Sequence, residues 1–132
     1  MTPISLLIQA CGLSTAEAAT FLDIRPDTVR SWSTGRRKPH PENIDRLREL
    51  YDTISHAALS AVEQIDSIVP DGAPCEIGYP SDDHEAQTLG YPCVGAWKVM
   101  AGMVIAELDR PVTLVPRGST PASAAAMDAH NK

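Results

Sequence analysis

The residues best suited to chemistry lie between positions 25 and 38. Arg30 carries a guanidinium whose paired donors match the O6 and N7 acceptors of guanine, and Thr28 and Ser31 carry hydroxyls that serve any base. Asp27 carries a carboxylate that accepts from the amino group of cytosine, or that simply offsets the dipole at a helix start. Arg25 stands before this group and Arg36, Arg37 and Lys38 stand behind it, cations placed where phosphates would lie if the group entered a groove. Thr15 and Thr34 join them as hydroxyl contacts to phosphate. Taken alone, Arg36–Lys38 would read as a solvated turn; beside a matched pair of helices it reads as phosphate-binding.

Such groups need a rigid platform, and the flanking residues supply one. Ser14 caps a helix from Thr15 to Leu22, and Glu17, three residues on, completes a capping box. Asp23-Ile24-Arg25 breaks the chain, with Asp23 a residue that visits the left-handed backbone region more readily than most. Pro26, which needs no amide partner in a first turn, opens a helix that runs through Trp32 and stops near Gly35. With Thr15 as first position, small Ala18 and Ala19 fall where the two helices cross, and Leu22, Ile24, Val29 and Trp32 form the inner core. Val29 and Trp32, three apart, turn Asp27, Thr28, Arg30 and Ser31 to solvent. This is the pattern of a helix-turn-helix, whose second helix enters the major groove of double-stranded DNA.

Ala18-Ala19, Asp23-Ile24-Arg25 and Trp32-Ser33-Thr34-Gly35-Arg36 together resemble the phage-repressor-type (XRE-like) helix-turn-helix family, where an Ala-Ala helix, a turn and a Trp-x-x-Gly-Arg ending recur. Asp23 departs from that pattern where Gly is common, and Ser33 where Glu is frequent. Residues 1–116 are also similar to the dimeric anti-CRISPR-associated autoregulators, in the order of elements and in Val94-Gly95-Ala96-Trp97-Lys98, although Ala96 separates the Gly from the Trp. That resemblance implies a homodimer that represses its own operon by binding an inverted repeat.

The remaining elements follow from periodicity and punctuation. A first helix is predicted from Pro3 to Gly12, capped by Thr2, with Leu6, Leu7 and Ala10 as its buried face. From Pro41 to about Ser67, Ile44, Leu47, Leu50 or Tyr51, Ile54, Ala58, Ala61 or Val62 and Ile65 recur at three or four residues, the stripe of a long connecting helix. The turn-rich run from Val69 to Pro74 then marks a boundary. It divides the chain into a helix-turn-helix domain with its connecting helix (1–68), a small C-terminal unit (69–116) and a flexible tail (117–132). The unit holds a strand at Cys75–Tyr79, a short helix at Asp82–Leu89, a helix at Val94–Leu108 and a strand at Val112–Val115. On its longer helix Val94, Trp97, Met100 or Ala101, Val104, Ile105 and Leu108 form an apolar face, either a core of its own or a two-fold interface. The interface reading is preferred, because one helix and two short strands are too small to enclose the stripe. The expected fold class is mainly α: an N-terminal helix-turn-helix bundle, a long connecting helix and a small α+β C-terminal dimerisation unit.

Composition sets the limits. The chain has 132 residues, 43% hydrophobic and 21% charged, the size and balance of one globular domain rather than a disordered chain. A net charge of −6 is not the basic footprint usual for nucleic-acid binders. Residues 1–50 nevertheless hold seven Lys or Arg against six acids, and the remainder holds four against eleven, so the acidic half restricts how the basic edge docks. Cys11, Cys75 and Cys93 have no CxxC pairing and read as buried or free thiols, which points to the reducing cytoplasm. Ile4 to Cys11 lacks a cationic leader and falls well short of the roughly 20 residues of a membrane span. Asp82, Asp83, His84 and Glu85 read as a polar helix start rather than a metal or acid–base site. No nucleophile motif or phosphate-binding Gly loop is present, so no enzyme, cofactor or metal is expected. The expectation is a sequence-specific transcriptional regulator, a dimeric repressor of its own promoter. The alternatives are an antitoxin whose C-terminal unit binds a toxin, and an enzyme fused to a DNA-binding module and using His84 or Glu85.

Overall fold

The computed structural model describes residues 1–117, in the order α1 (Pro3–Ala10), α2 (Thr15–Leu22), α3 (Pro26–Ser33), α4 (Pro41–Ile68), β1 (Cys75–Tyr79), α5 (Asp83–Thr88), α6 (Val94–Glu107) and β2 (Val112–Pro116). Each early helix begins where its open amides are satisfied or missing. Thr2 and Ser5 form a capping box on α1, and Ser14 and Glu17 form one on α2; Pro26 and Pro41 occupy the first turns of α3 and α4. α1 ends at Ala10 with Cys11 as its cap; Gly12, whose φ of +75° suits glycine, follows in the turn, and α1 and α2 meet at 89°. The tail expected over 117–132 lies, from residue 118 onward, outside the described residues.

α1 turns a different face inward from the one predicted. Ile4, Ile8 and the following Cys11 are buried, while Leu6 and Ala10 are exposed and Leu7 is half-buried. Both faces are apolar, so the sequence pattern does not choose between them. In the observed orientation Ile4, Ile8 and Cys11 join the main core, and the Thr2 hydroxyl donates to Trp32 O at 2.9 Å, tying the start of α1 to the end of α3. α4 matches its predicted stripe, with Leu47, Leu50, Ile54 and Ala58 buried; Tyr51 faces outward.

The second half of the chain is not a separate body. Cys93 and Ala96, at the start of α6, are buried in the same core as Ile8, Leu13, Trp32 and Leu47. α6 then runs along the second half of α4. There Ala58, Val104 and Leu108 form a second buried cluster with Val62, Ile65, Ile77 and Val112, and Met100 and Met103 border both clusters. Four of the six residues expected at a dimer interface, Trp97, Ala101, Val104 and Leu108, are therefore buried within the chain itself. Val94 is half-buried and Ile105 is exposed. The size argument for an interface fails because the last turns of α4 supply the missing cover, and residue 69 is a boundary in composition but not in packing.

β1 and β2 pair in parallel, Cys75 opposite Val112 through Tyr79 opposite Pro116. A parallel pair requires a long crossover, and α5 and α6 provide it. Arg110 fastens the far end: its side chain, only 4% exposed, donates from Nη1 to Pro70 O and Ala73 O and pairs through Nη2 with Asp66 at 3.0 Å. Among the described residues, no single helix is long and apolar enough to cross a membrane.

The two halves are joined at one backbone crossing. A Cβ built on Gly95 would lie 2.1 Å from Gly12 O, and one on Gly12 would lie 2.2 Å from Gly95 O. Gly95→Ala is expected to lower stability by about 2–4 kcal/mol in urea unfolding, since backbone rather than a movable side chain must give way. Cys11, wholly buried with its thiol on Leu47 O, supplies a second expectation: burial pushes its pKa from 9.0 up to about 11. The unfolded chain ionises this thiol first, so its stabilising contribution is intact below pH 9.0 and is lost as pH rises through about 11. A urea midpoint that falls over this range, and falls less steeply in Cys11→Ala, is the expected outcome.

Candidate nucleic-acid interface

α2 and α3 approach closely because the side chains between them are small. Ala18 and Ala19 are buried, and Leu22, Val29 and Trp32 close the core beneath them, with Ile24 packed against its edge. Asp23 takes the left-handed conformation anticipated for it, φ 56° and ψ 49°, and Ile24 N donates to Ala19 O at 3.0 Å to finish α2. Arg25 caps α3 without a side-chain hydrogen bond.

With Val29 and Trp32 turned inward, Asp27 and Arg30 are exposed and form an ion pair, Arg30 Nη1 to Asp27 Oδ1, one turn apart on the outer face of α3. Thr28 is half-buried beside them. Ser31, expected to face solvent, is instead 2% exposed, and its hydroxyl donates to Thr28 O at 2.6 Å. It cannot read a base from there. The buried arc of α3 is wider than Val29 and Trp32 alone imply, and Ser31 lies within it.

The basic connector turns back rather than continuing past the helix. Gly35, at φ +78°, permits the reversal; Thr34 Oγ1 and Arg37 N then both donate to Ser31 O, at 3.1 and 3.2 Å. Arg36 and Arg37 are thereby brought to the same cleft as Arg25. It measures about 210 Å³ and is lined by Arg25, Asp27, Thr28, Arg36 and Arg37. Cations expected at opposite ends of α3 thus converge at one place. Lys38 is exposed but lies outside this lining, and so do Thr15, half-buried at the start of α2, and Thr34, whose hydroxyl hydrogen is committed to Ser31 O.

Of the other polar candidates, His84 is exposed, and Asp82, Asp83 and Glu85 have structural partners. Asp82 caps α5 by accepting from Glu85 N at 2.8 Å, Glu85 accepts from the Ser81 hydroxyl, and Asp83 accepts from Val94 N. Among the described residues, no group of three or more His, Cys, Asp or Glu could hold a metal ion. Arg46 is occupied too: it lies 5.0 Å from the centre of the Phe21 ring and donates to Phe21 O. Phe21 and Arg46 also edge a larger, open cavity of about 530 Å³ with Glu49, Gln87 and Tyr91, residues too far apart in sequence to suggest it.

No protein-family model matches this chain, and no curated protein matches it. The role of Ser31 is open to a direct check on the protein alone. Ser31→Ala is expected to cost about 1 kcal/mol in urea unfolding, the usual worth of one internal hydrogen bond. A surface residue would show no change.

Proposed function

We propose that this protein is a sequence-specific DNA-binding transcriptional regulator, with α2 and α3 acting as a helix-turn-helix and α3 as the helix that enters the major groove. The observation that carries the reading is the convergence of Arg25, Arg36 and Arg37 on one cleft beside the exposed, polar face of α3. A groove-bound helix needs cations at its edge to hold phosphates and polar side chains at its front to meet base edges. Here the two sets are adjacent, with Arg30, Asp27 and Thr28 in front. The left-handed Asp23 and the small residues at the α2–α3 crossing support the same reading, because they give the pair the close packing such a motif requires.

In this reading the protein represses its own promoter from an inverted repeat, in the reducing compartment where its DNA and its free thiols both belong. Two copies on such a site would meet through a surface other than the inward-facing stripe of α6. The acidic second half repels phosphate, so the basic edge alone is presented to the duplex.

Fluorescence anisotropy with the duplex upstream of its own gene, against a scrambled duplex, tests the proposal at low and near-physiological salt. Preference for the upstream duplex that survives higher salt is the expected result. Equal, salt-labile binding to both would reduce the surface to a phosphate binder, and no binding would refute the reading. Arg37→Ala and Lys38→Ala are expected to weaken binding to both duplexes alike and to lower the logarithmic salt slope by about 1 each.

A further inference from the structure

We infer that Asp27 is a positioning residue for Arg30, and that the two act as one unit reading a guanine with a cytosine amino group beside it in the groove. The inference rests on the DNA-binding reading above. The two side chains are 83% and 64% exposed, yet they are paired through Arg30 Nη1 and Asp27 Oδ1. A pair this exposed contributes little to stability. Its effect falls instead on Arg30, a long side chain with several rotatable bonds that is held over the outer face of α3 before any ligand arrives.

The geometry leaves the right atoms open. Nη1 is engaged with Asp27, while the Nε–Nη2 edge of Arg30 has no partner among the described residues and keeps the two parallel donors that match guanine O6 and N7. Asp27 Oδ2 is likewise unengaged among the described residues. A carboxylate oxygen in that position accepts from cytosine N4 and is repelled by the acceptors of guanine and thymine, so it penalises wrong neighbours as well as favouring the right one. Asp27 and Thr28 also line the Arg25–Arg36–Arg37 cleft, whereas Arg30 lies outside that lining, so the carboxylate bridges from the cations of the cleft to the exposed guanidinium.

Selection from a randomised duplex pool with the full chain, followed by anisotropy on the enriched duplex and its guanine-to-adenine variant, tests this. The unaltered protein is expected to enrich a guanine in each recovered site and to discriminate against adenine there by about ten-fold or more. Arg30→Ala should abolish that discrimination. Asp27→Ala should reduce it roughly five-fold while leaving total affinity equal or higher, since a negative charge near phosphates has been removed. Asp27→Glu, which keeps a carboxylate within reach of Arg30, should restore part of it. Discrimination that is unchanged or sharper in Asp27→Ala would overturn the inference and leave Asp27 as a helix-dipole partner or a competitor for Arg30. No enrichment by the unaltered protein would refute the DNA-binding reading, and this inference with it.

Discussion

Gly12 and Gly95 meet backbone to backbone, and the arrangement of both halves of the chain depends on that approach. Gly12 is the turn between α1 and α2, so whatever rests against it is registered to the start of α2 and, through Ala18 and Ala19, to α3. Gly95 is in the first turn of α6. Contact between them inserts Cys93 and Ala96 into the N-terminal core and directs α6 along α4. From that line the remainder follows: Val104 and Leu108 meet Ala58, β2 returns beside β1, and Arg110 ties the loop after α6 to the end of α4. The cysteine neighbouring the crossing has its thiol pushed upward in pKa chiefly by burial, consistent with a structural rather than a reactive role.

The cations divide by environment rather than by position along the chain. Arg46 and Arg110 spend their guanidinium groups on carbonyl oxygens, an aromatic ring and a carboxylate, where they connect elements. Arg25, Arg36 and Arg37 are exposed and share a cleft. A chain that is acidic on balance thus gathers three of its exposed cations in one small cleft, a local positive site on an acidic background.

Local features were legible in the sequence because their causes are local. The Ser14–Glu17 box, Pro26, Asp23 and the turn-forming run at 70–74 name the bounds of their elements without reference to the rest of the chain. What could not be read depends on covering. Periodicity identifies the apolar side of a helix but not what lies against it, so the α6 stripe looked like an interface until α4 was seen to cover it. The same limit applies to Ser31, whose burial is set by the width of the inward arc, and to α1, where the fit of Ile4, Ile8 and Cys11 into the core decides between two apolar faces. At the candidate site, Asp27 and Arg30 were legible as outward residues, whereas the meeting of Arg25 with Arg36 and Arg37 needed the reversal at Gly35.

The crossing also orders events in time. Cys93 and Gly12 are 81 residues apart in the chain, so the core beneath α2 and α3 lacks part of its filling while a ribosome is still making the region between. Closing so long a loop is among the slower steps available to a small domain. A nascent or truncated product ending before α6 would thus carry the outward residues of α3 on an unfinished platform. The support beneath those residues is therefore complete only after α6 has been made, although the residues themselves are among the first to leave the ribosome.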